Sequence, residues 1–109
     1  MTEMTVLVKL QALSNETRFS IVKLARRREM SAGAIARHFK LTRPAVSQHL
    51  SMLRAAGLLN ERREGAKRLY IVREEGFEEL AEFIENFWGP RLRKLKLAAE
   101  SVERRGSKR

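Results

Sequence analysis

Apolar residues recur at helical spacing along most of this chain, and one stretch departs from that period. Val6, Leu7, Leu10 and Leu13 predict a helix over 3–13. Asn15 suits an N-cap and puts Glu16 in the next first turn, where the helix dipole favours an anion. Phe19, Ile21, Val22, Leu24 and Ala25 then form a strongly apolar helix that ends near Arg26-Arg27-Arg28, cations suited to its C-terminal end. Ser31 caps a short helix whose buried stripe is Ala32, Ile35, Ala36 and Phe39. A tight Lys40-Leu41 connection leads to Thr42, another N-cap. Pro44 falls in the first turn that follows, where a missing N–H costs nothing. This fourth helix runs from about 43 to 56 and stops before Gly57, a natural residue for the position after a helix end.

Leu58 to Arg63 and Arg68 to Val72 read as two extended segments around Glu64-Gly65-Ala66-Lys67, a hairpin. A last helical pattern covers about 74–103, with Phe77, Leu80, Ala81, Ile84, Phe87, Trp88, Leu92, Leu95, Ala99 and Val102 on one broad stripe. Pro90 removes the hydrogen bond to the carbonyl of Asn86, so a kink or break is expected there. Residues 104–109 read as a frayed basic tail. The predicted class is mainly α with a small β-hairpin, in the order α-α-α-α-β-β-α. It makes a single domain over 1–109, because no repeat or linker divides it.

Charge narrows the partner. Lys and Arg total 23 against 13 Asp and Glu, a net charge of +10. Residues 1–72 carry 14 basic and 5 acidic side chains, residues 73–85 one and 6, and residues 91–109 eight and 2. A polyanion is implied, and nucleic acid first among polyanions. The acidic block should face away from it, or meet a basic surface of a partner subunit. No apolar run is long enough to span a bilayer and no segment reads as a signal peptide, so a cytoplasmic, nucleoid-associated protein without membrane contact is expected. With no Cys there is no disulfide or thiolate chemistry.

A short helix, a tight turn and a second helix make a helix-turn-helix, and here a hairpin follows at once. On the second helix Val46, Leu50 and Leu53 fall on one face. The opposite arc offers Pro44, Ser47, Gln48, Ser51 and Ala55, flanked by Arg43 and Arg54. A solvated arc in so charged a chain would carry Lys and Glu; a small, hydrogen-bonding one fits base edges in a major groove. Thr42, Arg43, Pro44, Ser47, Gln48 and Ser51 are therefore the candidate base readers, Pro44 through a thymine methyl. Arg37, His49, Arg54, Arg62, Arg63, Lys67 and Arg68 are the candidates for backbone phosphates, four of them clustered on the hairpin.

Several runs resemble the ArsR family of winged-helix repressors: Leu13-Ser-Asn-Glu-Thr-Arg18, Ile35-Ala-Arg-His-Phe39, Leu41-Thr-Arg-Pro-Ala-Val-Ser-Gln-His-Leu50, Leu53-Arg-Ala-Ala-Gly-Leu-Leu59 and Arg62-Arg-Glu-Gly65. The resemblance covers about 10–75 and implies a winged helix-turn-helix, with the helix-turn-helix at 31–56, the wing at 58–72 and a C-terminal dimerisation helix at 74–103. It further implies a homodimer on a partly palindromic operator, acting mostly as a repressor, with the first and last helices as the dimer interface. Val6, Leu7, Leu10, Ile84, Trp88, Leu92 and Leu95 are the candidate interface residues. The terminal stripe also has the make-up of a ligand pocket, but so small a chain cannot bury it alone, which favours a dimer seam. The reading helices of such a dimer would stand about 34 Å apart.

The chain departs from the metal-sensing members. It has no Cys around Met30 to Ile35, where they place theirs, and no His on the last helix. Phe87-Trp88 with Arg91, Leu92 and Leu95 resembles the metal-independent branch. His38 and His49, the only histidines, have no second ligand at metal spacing. No metal or other cofactor is expected, and no inducer is legible from these residues. Ser14, Ser20, Ser31, Ser47 and Ser51 lack an arranged His–carboxylate pattern, so no catalytic residue is assigned. The function expected is a sequence-specific double-stranded-DNA-binding regulator. The alternative is a winged-helix interaction module of a larger protein or RNA assembly.

Overall fold

The computed structural model describes residues 2–107. They form α1 (Thr2–Leu13), α2 (Glu16–Arg27), β1 (Met30–Ser31), α3 (Ala32–Phe39), α4 (Arg43–Ala55), β2 (Leu59–Glu64), β3 (Lys67–Val72) and α5 (Glu74–Ser107). Two compact units divide at Glu79 and Leu80, within α5.

In the first unit, short polar side chains start the helices. Asn15 accepts a hydrogen bond from the Arg18 amide at 3.0 Å, Ser31 from Ala34 at 3.1 Å and Thr42 from Ala45 at 3.3 Å. Each satisfies an amide that has no partner inside its helix. The end of α4 is as specific. Gly57 takes φ +75°, its amide donates to Arg54, and the Leu58 amide donates back to Leu53 at 3.0 Å. This is a Schellman ending, with Leu53 and Leu58 both fully buried as its hydrophobic pair. Between α3 and α4 the turn passes through Lys40, at φ 56° and ψ 43°.

The sheet has three antiparallel strands in the order β1-β3-β2, one more than the expected hairpin. Met30 pairs with Tyr70 and Ser31 with Leu69. A two-residue strand is too short to show alternation, so its pairing is set by the tertiary fold. The core gathers Ile21, Val22 and Ala25 of α2, Ile35 and Ala36 of α3, and Val46, Leu50 and Leu53 of α4, closed by Leu58, Leu59 and Tyr70.

α1 differs from its expected orientation. Val6, Lys9 and Ala12 are its buried residues, while Leu7, Val8 and Leu10 face outward. Val6, placed above among the interface candidates, is buried within its own chain at 2 % exposure and is corrected here to a core residue. A helix presents i, i+3 and i+6 on one side, and here that side includes a lysine rather than the most apolar positions.

α5 is one continuous helix through Gly89 and Pro90, so the expected break does not occur. Proline removes one backbone hydrogen bond, and the good helix formers on both sides, Glu, Leu, Arg and Lys, carry the helix across. The tail expected to fray from 104 is helical to Ser107, and residues 108 and 109 lie outside the described residues. In the second unit, Phe83 stacks on Phe87 at 5.4 Å, and Arg91 lies 5.5 Å from the Trp88 ring centre. The Glu85 carboxylate lies over Gly89 and pairs with Arg93. Ile84, Phe87, Trp88, Leu92, Leu95, Leu97 and Val102 are exposed. Among the described residues no helix is long and apolar enough to cross a membrane.

Candidate nucleic-acid interface

Burial of Val46, Leu50 and Leu53 fixes which side of α4 faces out. Thr42, Arg43, Pro44, Ser47, Gln48 and Ser51 are all exposed, on or at the start of that helix. Its outer arc is thus small, polar and uncharged from Pro44 to Ser51, with an arginine before it.

Beside the start of α4 lies an open groove of about 750 Å³, lined by residues of α3, α4 and the hairpin, including Arg37, Arg43, Lys67, Arg68 and Tyr70. Arg37 and Arg43 converge over Gly33. A Cβ there would stand 3.4 Å from an Arg43 nitrogen and 3.6 Å from an Arg37 nitrogen. The groove wall holds four cations and no carboxylate. Among the described residues no carboxylate lies within ion-pair distance of Arg37, Arg43, Arg63, Lys67 or Arg68. A basic wall without such partners favours anions electrostatically.

Two of the expected phosphate ligands are already paired. Arg54 lies 3.3 Å from Glu61 of β2, and Arg62 is bonded to Glu29 and lies 3.3 Å from Glu64. The bond to Glu29 raises the Arg62 pKa further above its ordinary value. These pairs tie the hairpin to α4 and to the link after α2. The Arg62–Glu29 pair, 33 residues apart, leaves no periodic signal.

His49 is half-buried on the flank of α4. Its Nδ1 lies 3.5 Å from an Arg18 Nη, and Arg18 also donates from Nε to the Ala12 carbonyl at 2.7 Å. Burial first, and the Arg18 charge second, hold the imidazole below its ordinary pKa. Both causes favour the neutral ring in the free protein. Arg18 was not singled out in the sequence; it joins the end of α1 to α4.

Of the remaining interface candidates, Leu7 and Leu10 are exposed on α1, and Ile84, Trp88, Leu92 and Leu95 are exposed on α5. Among the described residues no three His, Cys, Asp or Glu side chains gather into a metal-binding group.

Residues 15–61 match the family described as bacterial regulatory protein, arsR family. The chain is similar to an ArsR-like transcriptional regulator from Rhodococcus, with 29% identity and a TM-score of 0.75 over 90% of this chain and 95% of that one. It is similar to reduced HlyU from Vibrio cholerae, with 31% identity and a TM-score of 0.64 over 79% of this chain and 90% of that one. A third similar structure is the homodimeric winged helix-turn-helix DNA-binding domain of a possible ArsR-family transcriptional regulator from Mycobacterium bovis. It shares 29% identity, with a TM-score of 0.64 over 72% of this chain and 74% of that one. No curated protein matches the chain.

Proposed function

This chain belongs to the arsR family of bacterial regulatory proteins, and from that membership we propose that it is a homodimeric repressor that reads operator DNA without control by metals. The winged helix-turn-helix makes it a DNA-binding transcriptional regulator rather than an enzyme. One observation carries the finer reading: the uncharged outer arc of α4 stands beside a groove with cations on every wall. A helix face meant only for water would not withhold charge in a chain of net +10. Thr42, Arg43, Pro44, Ser47, Gln48 and Ser51 face base edges, with Gln48 able to make a bidentate pair with adenine. Arg37, Arg63, Lys67 and Arg68 hold phosphates and set the register without reading sequence.

Dimerisation is supported by the homodimeric Mycobacterium bovis relative and by the exposed apolar residues of α1 and α5. Exposed Phe87, Trp88 and Leu92 on one helix need a cover, and a second copy supplies one. Metal independence rests on the donor set: regulation by zinc, copper or nickel needs three or four ligands among Cys, His and carboxylate. The chain has no Cys, and its two histidines sit on separate helices of the helix-turn-helix. Repression follows if the dimer occupies a promoter.

Selection of duplexes from a random pool, followed by competition against scrambled DNA, tests the reading. A regulator enriches one partly palindromic motif, and added zinc leaves its affinity unchanged. An assembly module enriches none.

A further inference from the structure

Among the described residues Lys9 is the one charged residue with a fully buried side chain, at 2 % exposure. Its Nζ donates to the Ala56 carbonyl at 2.7 Å and lies 3.5 Å from a Glu79 carboxylate oxygen. Ala56 is the C-cap of α4. The last carbonyls of a helix have no amide partner within it, and they carry its negative dipole end, so a cation there is favourable twice over.

The neighbouring carbonyl is held in the same way. Arg73, between β3 and α5, has a guanidinium nitrogen 3.4 Å from the Gly57 oxygen, and its amide donates to the Leu58 carbonyl at 2.9 Å. Gly76, in the first turn of α5, packs directly on Gly57: a Cβ at Gly76 would lie 1.9 Å from the Gly57 oxygen. The end of α4 is therefore held both by α1 and by the start of α5.

Part of the lysine's role is to satisfy the Ala56 carbonyl, which an apolar residue would leave without a donor. The neighbours of Lys9 on the buried stripe are Val6 and Ala12, and an apolar residue of similar length would fill the space without the cost of taking an ammonium out of water. What an apolar residue also lacks is direction. The lysine fixes one atom of α1 to one carbonyl of α4, and to one carboxylate of α5.

We propose that Lys9 is a positioning residue for DNA reading: it fixes the C-terminal end of α4 relative to α1 and to the first turns of α5, so that a displacement of either helix re-aims the reading face. This rests on the reading of α4 given above. It makes Ala56, Gly57 and Glu79 the junction through which an event at the terminal helices reaches the DNA.

Lys9→Met and Glu79→Gln test it, each measured well below its own thermal midpoint on two duplexes. One is a duplex selected by the wild-type protein from a random pool; the other is its scrambled counterpart. In Lys9→Met, affinity for the selected duplex falls about tenfold. Affinity for the scrambled duplex and the salt dependence stay unchanged, because a buried lysine touches no phosphate. Glu79→Gln moves discrimination the same way by about threefold. Discrimination kept within about twofold in Lys9→Met, with only the midpoint lowered, overturns the proposal, as does an equal loss on both duplexes. If Lys9→Met does not fold, unchanged discrimination in Glu79→Gln overturns it. A wild-type protein that selects no duplex overturns the reading of α4 itself, and the proposal with it.

Discussion

Arg63 and Arg68 stand directly opposite each other in the antiparallel pair of β2 and β3. Opposed residues share a face of the sheet, and two like charges so placed cost a hairpin a few tenths of a kcal/mol. The face is the one that carries Leu59, Glu61, Tyr70 and Val72 into or toward the core further along the strands. The arginines extend it past the core's end, on the hairpin's outer part. Bound phosphate removes the repulsion. Arg63→Ala and Arg68→Ala should each leave thermal stability of the free protein equal or slightly higher. Each should weaken binding to all duplexes alike, and flatten log affinity against log salt by roughly two units per dimer. An unchanged salt slope means that the hairpin does not touch DNA.

The outer arc of α4 should respond in the opposite way. Gln48→Ala and Ser47→Ala are expected to cost about 1–3 kcal/mol of discrimination where a bidentate contact is lost. Their salt slopes should match the wild type, since neither side chain carries charge. Competition between selected and scrambled duplexes at several salt concentrations separates the two classes of variant.

Much of this site is written locally. Asn15, Ser31 and Thr42 mark helix starts by their own chemistry, Gly57 marks an end, and Val46, Leu50 and Leu53 orient α4 by spacing alone. What could not be read depends on how separate elements meet in the fold. Glu61 and Glu29 take up Arg54 and Arg62, which by composition looked available for phosphate. Lys9 carries no apolar signal beside Leu7 and Leu10, and yet its face is the one that turns inward. Apolar residues lie on both faces of α1, and periodicity does not say which face the chain itself buries. Gly89-Pro90 reads as a kink or break by residue type; the continuity of α5, which rules out the break, reflects the helix formers around it.

Two backbone positions should shift stability in opposite directions. Lys40 holds a left-handed conformation that costs a side-chain-bearing residue about 1–2 kcal/mol. Lys40→Gly relieves that cost, less the larger chain entropy of glycine, for a net gain of about 0.5–1 kcal/mol. Gly57→Ala introduces the same cost at φ +75° and sets a Cβ 3.1 Å from the Lys9 Nζ. It should lose about 1–2 kcal/mol. Chemical denaturation of the two variants checks both signs.

His49 gives the fold a pH dependence of definite sign. Its imidazole titrates below the ordinary 6.5 in the folded protein, through burial and the Arg18 charge. As the pH falls through that ordinary value, the unfolded chain takes up a proton that the folded chain resists. The stability contributed by the neutral ring is complete above 6.5 and is lost on the way down to the depressed value. His49→Gln removes this loss. Between about pH 7.5 and 5.5 the wild type should therefore lose ground to the variant in unfolding free energy. Parallel curves contradict the assignment.

The most direct measurement is the ratio of dissociation constants for a duplex selected by the protein and a scrambled duplex of equal length, taken at one fixed salt concentration. A regulator that reads bases through Thr42, Arg43, Pro44, Ser47, Gln48 and Ser51 gives a ratio of about a thousandfold or more, with two chains bound per duplex. Equal affinity for both duplexes, falling together as salt rises, contradicts it and leaves only a basic protein that holds phosphates.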